Sequence, residues 1–278
     1  MASTEIDQSE DVILDTREGG VALLTLSRPD SLNALDTRLM RRLAEACAVV
    51  AEDETVRCVV LTGAGRGFCS GGDRGAIGAA ADAAVDATAR AERSEAEKEE
   101  VLEKRIAWLR RSAEAARLLH CMSKPTIAMI NGACAGAGLS LAGACDLRFA
   151  GESAKFVAGF TMAGMPGDYG GSWSWTRILG TAKARELYFL NERMQAPEAL
   201  NFGLVSRVFA DDRLREETMT IAQRLAGYPS VALDFAKRNL NAAAMDTIDE
   251  ALDRDSRNMM LSRQVLTEIR ARKRAETA

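Results

Sequence analysis

An α/β body followed by a helical C-terminal module is the fold class the sequence predicts, and three observations predict it. Short apolar runs of strand length recur through the first two thirds, two of them opening into glycine-rich turns. Between them lies a long Ala-, Glu- and Arg-rich stretch, residues 79–120, without Pro or Gly, which reads as helix with a solvated charged face. From Asp211 onward the pattern is helical to the end, broken at Gly227–Tyr228–Pro229. The division expected is a body over 1–210 and a helical module over 211–278.

The elements follow in order. Val12–Asp15 and Val21–Leu26 read as strands joined by the turn Arg17–Gly20. Pro29 ends the second, and Asp36 or Thr37 can cap a helix running to about Ala51. Cys58–Thr62 is a buried strand leading straight into the glycine-rich Gly63–Asp73. After Pro125, Thr126–Ile130 is another, leading into NGACAGAG and the apolar helix Leu139–Ala144. Leu147–Ala150 and Val205–Phe209 are further strands.

Composition narrows the function classes. The 278 residues are 47% hydrophobic and only 5% aromatic, so Ala, Val, Leu, Ile and Met must fill the core. A net charge of −4 argues against nucleic acid as the main partner. No apolar run approaches the roughly 18 residues of a membrane span, and the polar start has no signal-peptide pattern, so the expected address is the cytoplasm. The six cysteines form no C-x-x-C pair and read as reduced core residues. With one histidine, His120, and no carboxylate cluster at ligand spacing, no metal site is expected.

Each glycine-rich turn follows a buried strand and so presents backbone N–H groups at a sheet end. The second also opens a helix, whose first N–H groups are unpaired and carry partial positive charge. Gly132, Gly136 and Gly138, with only alanines and a cysteine between them, leave little side chain between the backbone and an anion. Neither turn has a P-loop ending, and GACAGAG does not match the dinucleotide-binding spacing. Small residues there also permit tight helix–sheet packing without any ligand. Two turns together allow more: a carbonyl oxygen held between N–H groups from both would sit in an oxyanion hole, each donor worth about 3–4 kcal/mol.

The segments SRPDSLNAL (27–35), GFCSGGD (67–73) and INGACAGAGLSLAGACDLRFA (130–150), in this order, resemble the crotonase superfamily of enoyl-CoA hydratases and isomerases. The resemblance covers nearly the whole chain. It implies a crotonase-like spiral of ββα units with a C-terminal helical module that packs subunits into a homotrimer or a dimer of trimers. It implies an acyl-CoA substrate whose thioester oxygen is held by the backbone N–H groups of Ser70 and Ala137. The loop carrying Arg28, Leu32 and Ala34 would lie along the CoA, with Val21–Leu26, Gly71, Gly72 and Asp73 lining its channel and Gly136 and Gly138 beside the thioester. No separate cofactor is implied, since coenzyme A enters as part of the substrate.

Hydratases of this family use two glutamates; the corresponding positions here are Ser140 and Phe160, neither of which can activate water. Asp168, in GMPGDYGGSW, is similar in position to the single catalytic aspartate of family isomerases and the nucleophile of its aryl-CoA dehalogenases. As a residue ahead of Gly170–Gly171 it could instead cap a helix Ser172–Leu179. One carboxylate beside a stabilised dienolate can remove a proton at one carbon and return it at another. Burial near Phe160, Met165 and Trp173 would raise its pKa and make it a better base.

A nucleophilic Asp168 would need a water-activating partner, and His120 reads instead as a helix C-terminal cap. Glu152, Glu186 and Glu192 read as surface groups. Trp173 and Trp175 read as walls of the acyl pocket or as packing beneath it. The segment 75–110 should border that pocket, its alanines permitting a roomy site. Double-bond isomerisation by Asp168 is the expected activity; hydration with non-standard acid–base groups and CoA binding without catalysis are the alternatives.

Overall fold

The computed structural model describes residues 11–17, 19–73, 75 and 94–276. Strands β1 (Val12–Arg17) and β2 (Val21–Leu26) form an antiparallel hairpin, with Gly19 and Gly20 at φ +91° and +79° supplying the turn. Beside β2 lie β3 (Cys58–Gly63), β5 (Thr126–Ile130), β7 (Leu147–Gly151) and β10 (Arg207–Phe209), each parallel to its neighbour. A parallel sheet is covered on both faces, which is why β3 and β5 read as unbroken apolar runs. Leu24, Leu26, Val59, Leu61, Ala128 and Ile130 point into the larger core. Val21, Leu23, Val60, Ile127 and Met129 point the other way.

A second, four-stranded sheet joins β4 (Gly67–Cys69), β6 (Ala133–Ala135), β8 (Lys155–Val157) and β9 (Met194–Gln195). The chain passes repeatedly from the first sheet into the second: β3 to β4, β5 to β6, β7 to β8. Gly63 and Gly132 make two of these corners. A Cβ on Gly63 would lie 2.2 Å from the Gly67 oxygen, and one on Gly132 would lie 2.1 Å from the Arg66 oxygen. Residues 133–135 thus prove to be a strand inside what the sequence presents as one glycine-rich turn.

Helix α1 (Thr37–Glu52) is capped by Asp36, whose Oδ1 accepts the Leu39 N–H at 2.8 Å, and buries Leu39, Met40, Leu43, Cys47 and Val50. Of the expected helix over 79–120, residues 79–93 lie outside the described residues, as does most of the pocket-bordering start of 75–110. The remainder forms α2 (Glu95–Ser112) and α3 (Glu114–Cys121). Helix α4 (Ala137–Ala144) is buried along its whole length and starts two residues earlier than its hydropathy indicates. Helix α5 (Gly171–Leu190) is longer than expected and is bent at Gly180, whose φ of 76° and ψ of 163° are not helical. Helix α6 (Ala196–Phe202) leads to β10, which is confined to Arg207–Phe209.

The C-terminal helices divide by what they pack against. Helix α7 (Leu214–Ala226) covers the second face of the first sheet through Leu214, Ile221, Ala222 and Ala226. A boundary at 210 would strip that face, so α7 belongs with the body. Helices α8 (Ser230–Ala243) and α9 (Ile248–Glu276) pack on each other. They leave Leu240, Met245, Ile248, Leu252, Met259 and Met260 exposed. Helix α8 is tied to the body by buried Lys237, which donates to Asp146 Oδ2 at 2.8 Å and to the oxygens of Lys124 and Leu119. No described helix is long and apolar enough to cross a membrane.

Candidate active site

The two glycine-rich turns meet. β4 and β6 lie side by side, and where they end the chain brings Gly71 against Gly136 and Ala137. A Cβ on Gly71 would stand 3.6 Å from the Ala137 nitrogen and 3.1 Å from the Ala135 oxygen. Gly138 lets α4 seat on β4, since a Cβ there would fall 2.4 Å from the Cys69 oxygen. Ala137 is the first residue of α4, so its N–H has no partner within the helix, and no described residue accepts from it.

Ser70 does not present the donor expected of it. Its N–H is bonded to the Leu32 oxygen at 3.0 Å, and its hydroxyl donates to the Ser31 oxygen. The Leu35 N–H donates to Gly71 O and the Asp73 N–H to Leu35 O, forming a parallel bridge between Leu35 and Gly72. In such a bridge the N–H of the middle residue points away from the partner strand. Gly71, at φ +101°, breaks the extended alternation, so Ser70 and Asp73 face the 32–35 loop and the Gly72 N–H faces away from it. The amide of this turn that points away from the loop is therefore that of Gly72, placed by the sequence in the channel wall and not among the donors. Only the φ of Gly71 reveals the shift.

The loop beside these turns is held by Arg28. Its guanidinium donates to the Ala34 oxygen at 2.6 Å and pairs with Asp73 at 3.1 Å and Asp36 at 3.3 Å. Asn33, fully buried with φ +57°, bonds the Arg28 N–H and the oxygens of Ala64 and Gly67. Leu32 rests on Gly67. Arg28 thus fastens the expected CoA-side loop to the Gly71–Asp73 turn, with two carboxylates already on its charge.

Asp168 stands just ahead of α5. Its Oδ1 is buried with no hydrogen-bond partner among the described residues, and burial pushes the carboxyl pKa up to about 6. It does not cap a helix: α5 begins at Gly171, and the contact is between the Gly171 N–H and the Asp168 backbone oxygen at 3.0 Å. Cys69 on β4, Tyr169 and Tyr188 on α5 all feel its charge. Burial, helped by Asp168, raises Tyr169 well above its ordinary value and Tyr188 to about 12. Phe160 stacks on Tyr188 with ring centroids 6.1 Å apart and lies 3.9 Å from where a Gly136 Cβ would be, so it spans the gap between the carboxylate and the second turn. Ser140 is completely buried, its hydroxyl donating to the Gly136 oxygen at 3.5 Å and standing beside that of Tyr188. Tyr188 is a site residue that the sequence conceals, because within α5 it looks like any core aromatic.

The remaining candidates stand elsewhere. His120 meets Trp173 edge-on at 4.8 Å, and burial, aided by Lys237 and Arg177, lowers its pKa against the pull of Asp146. That depression disfavours the cationic cap expected of it. Trp175 packs under the site against Gly143, whereas Trp173 is exposed and covered by Arg177. Glu152, Glu186 and Glu192 are exposed. Five of the cysteines are buried and Cys121 is exposed. No group of His, Cys, Asp or Glu among the described residues could hold a metal ion.

Comparison with known proteins shows the family. The family described as Enoyl-CoA hydratase/isomerase matches residues 16–270. Over 241 residues, 87% of this chain and 86% of the relative, the chain is 36% identical to a 1,2-epoxyphenylacetyl-CoA isomerase of Escherichia coli (strain K12). It is 30% identical over 242 residues to a short-chain-enoyl-CoA hydratase of Clostridium acetobutylicum, covering 87% of this chain and 85% of the relative. Among solved structures it is similar to an enoyl-CoA hydratase from Bacillus anthracis, with a TM-score of 0.79 and 26% identity over 96% of this chain and 97% of that one.

Proposed function

The chain belongs to the enoyl-CoA hydratase/isomerase family, and from that premise we propose that it moves a double bond within an unsaturated acyl-CoA, with Asp168 as its acid–base group. The observation that carries this reading is the buried Oδ1 of Asp168, unpartnered among the described residues, with its charge felt by Cys69 at the end of β4. The N–H groups of Gly72 and Ala137 are the proposed clamp for the thioester oxygen. Coenzyme A arrives as part of the substrate and no other cofactor is required.

In a 3-enoyl thioester the Asp168 carboxylate takes a proton from C2. The electron pair passes into the thioester carbonyl, and the resulting dienolate oxygen is held by the two N–H groups, which bind the anion better than the neutral carbonyl. Protonated Asp168 then returns the proton to C4, leaving the double bond between C2 and C3. No water or second acid is consumed. A carboxyl with a pKa near 6 suits both steps, being ionised at neutral pH yet basic enough to hold the proton between them.

The isomerase relative supports this choice, and the substrate in its name points to aryl-bearing acyl groups as ones to try. The hydratase relative favours the alternative, addition of water. Against it stand Ser140 and Phe160: a fully buried hydroxyl that donates to the Gly136 oxygen, and an apolar ring. The exposed apolar side chains of α8 and α9 fit a trimer or a dimer of trimers packed through those helices. Mass spectrometry of 2-enoyl- and 3-enoyl-CoA after incubation tests the reaction. Unchanged mass with a moved double bond is expected; a gain of one water would establish a hydratase.

A further inference from the structure

Building on that reading of Asp168, we propose that Tyr188 is a positioning residue: its ring and hydroxyl seat the 167–171 segment and so fix the Asp168 carboxyl in the site. The segment lies on Tyr188 at both ends. A Cβ on Gly167 would come within 3.0 Å of the Tyr188 ring, and one on Gly171 would stand 2.4 Å from the Tyr188 hydroxyl and 2.3 Å from Ser140 Oγ. These two glycines flank Asp168, and Gly167 has φ +110°. Bare backbone is therefore pressed against one aromatic side chain immediately before and just after the carboxylate.

Tyr188 is itself held from several directions. Its ring stacks on Phe160 at an interplanar angle of 16°, and its backbone oxygen accepts from Thr161 Oγ1 and Asn191 Nδ2, both at 2.9 Å. Its hydroxyl stands beside Ser140 Oγ, one turn into α4 from Ala137, both facing the same bare Cα of Gly171. One side chain thus couples the helix that offers an N–H to the thioester with the segment that offers the base. The titratable groups facing Asp168 are Cys69 from β4, its neighbour Tyr169 and Tyr188 from α5; α4 contributes only the uncharged Ser140. None of these is a cation, so among the described residues it is exclusion of water by this wall that holds the carboxyl in its proton-retaining state.

The test compares Tyr188→Phe, Tyr188→Leu and Asp168→Asn by kcat, KM and the pH profile of double-bond migration in a 3-enoyl-CoA. Tyr188→Phe should lower kcat by about 3–10-fold with KM within about twofold, because the segment loses its hydroxyl seat while the substrate contacts remain. Tyr188→Leu should lower it further and move the acid limb of the profile from near 6 toward the ordinary carboxylate range. A Tyr188→Phe enzyme with unaltered kcat and pH profile overturns the proposal, whether or not the Leu variant folds. A folded Tyr188→Leu enzyme with an unmoved acid limb does the same. Migration surviving in Asp168→Asn would overturn the functional reading and this proposal together. Migration abolished there but untouched in the Tyr188 variants would overturn the positioning role alone.

Discussion

Gly71 and Ala137, from turns far apart in the sequence, approach so closely that a Cβ on the first would lie 3.6 Å from the amide nitrogen of the second. That approach brings two separate features, a strand end and a helix start, into one place, where the proposed thioester clamp would lie. It depends on the sign of a single dihedral, the +101° φ of Gly71.

Gly71→Ala should therefore damage both stability and turnover. An alanine at that φ is strained, and its Cβ would press on the Ala135 oxygen at 3.1 Å. We expect a loss of about 1–3 kcal/mol in urea denaturation. Turnover should fall by about tenfold or more as the Gly72 amide swings off line.

Asp168→Asn keeps the shape of the carboxyl and removes the base. Double-bond migration should fall by at least about 100-fold while acyl-CoA still binds. Exchange of the thioester α-proton with deuterated water, followed by mass spectrometry, checks this; exchange at the parent rate would exclude Asp168 as the base.

The raised pKa also sets two pH dependences of opposite sense. In the proposed reaction the carboxylate form is the active one, so activity should rise with pH through a limb near 6. Stability runs the other way. A carboxyl whose folded pKa lies above its unfolded value of 3.8 stabilises the fold fully only below that value, and the contribution is lost as pH rises through about 6. Asp168→Asn should therefore be more stable than the parent at pH 8, by about 1–2 kcal/mol given partial exposure of the residue, and nearly equal to it at pH 4. Denaturation at both pH values measures the difference.

Lys237→Met breaks the buried tie between α8 and the body. Asp146 would keep its bonds from the Thr126 N–H and hydroxyl but lose its cation, and the oxygens of Leu119 and Lys124 would lose a donor. Because Asp146 retains some exposure, the expected cost is about 2–4 kcal/mol, readable as a shift in the urea midpoint.

Strands β2, β3 and β5 and helix α1 were legible because each carries its own signal: an apolar run of strand length, or a stripe behind a capping aspartate. β6 was not. Three small residues, Ala133–Cys134–Ala135, look the same in a turn as in a strand, and only pairing with β4 and β8 distinguishes them. α5 was cut short because Gly180 resembles a stop, whereas the helix resumes beyond it.

The sequence by itself determined the alternation of strands and helices in the α/β body and the presence of the two glycine-rich turns, while Asp168 was put forward by resemblance to the family. These are matters of residue type and local pattern. The tertiary structure decided which amide is free, since the N–H of Ser70 is occupied by Leu32 and that of Gly72 is turned outward. It also brought Tyr188 beside Asp168 and made α7 part of the body. Hydrogen-bond direction and side-chain contact depend on how distant segments pack, and no local pattern of residues encodes that.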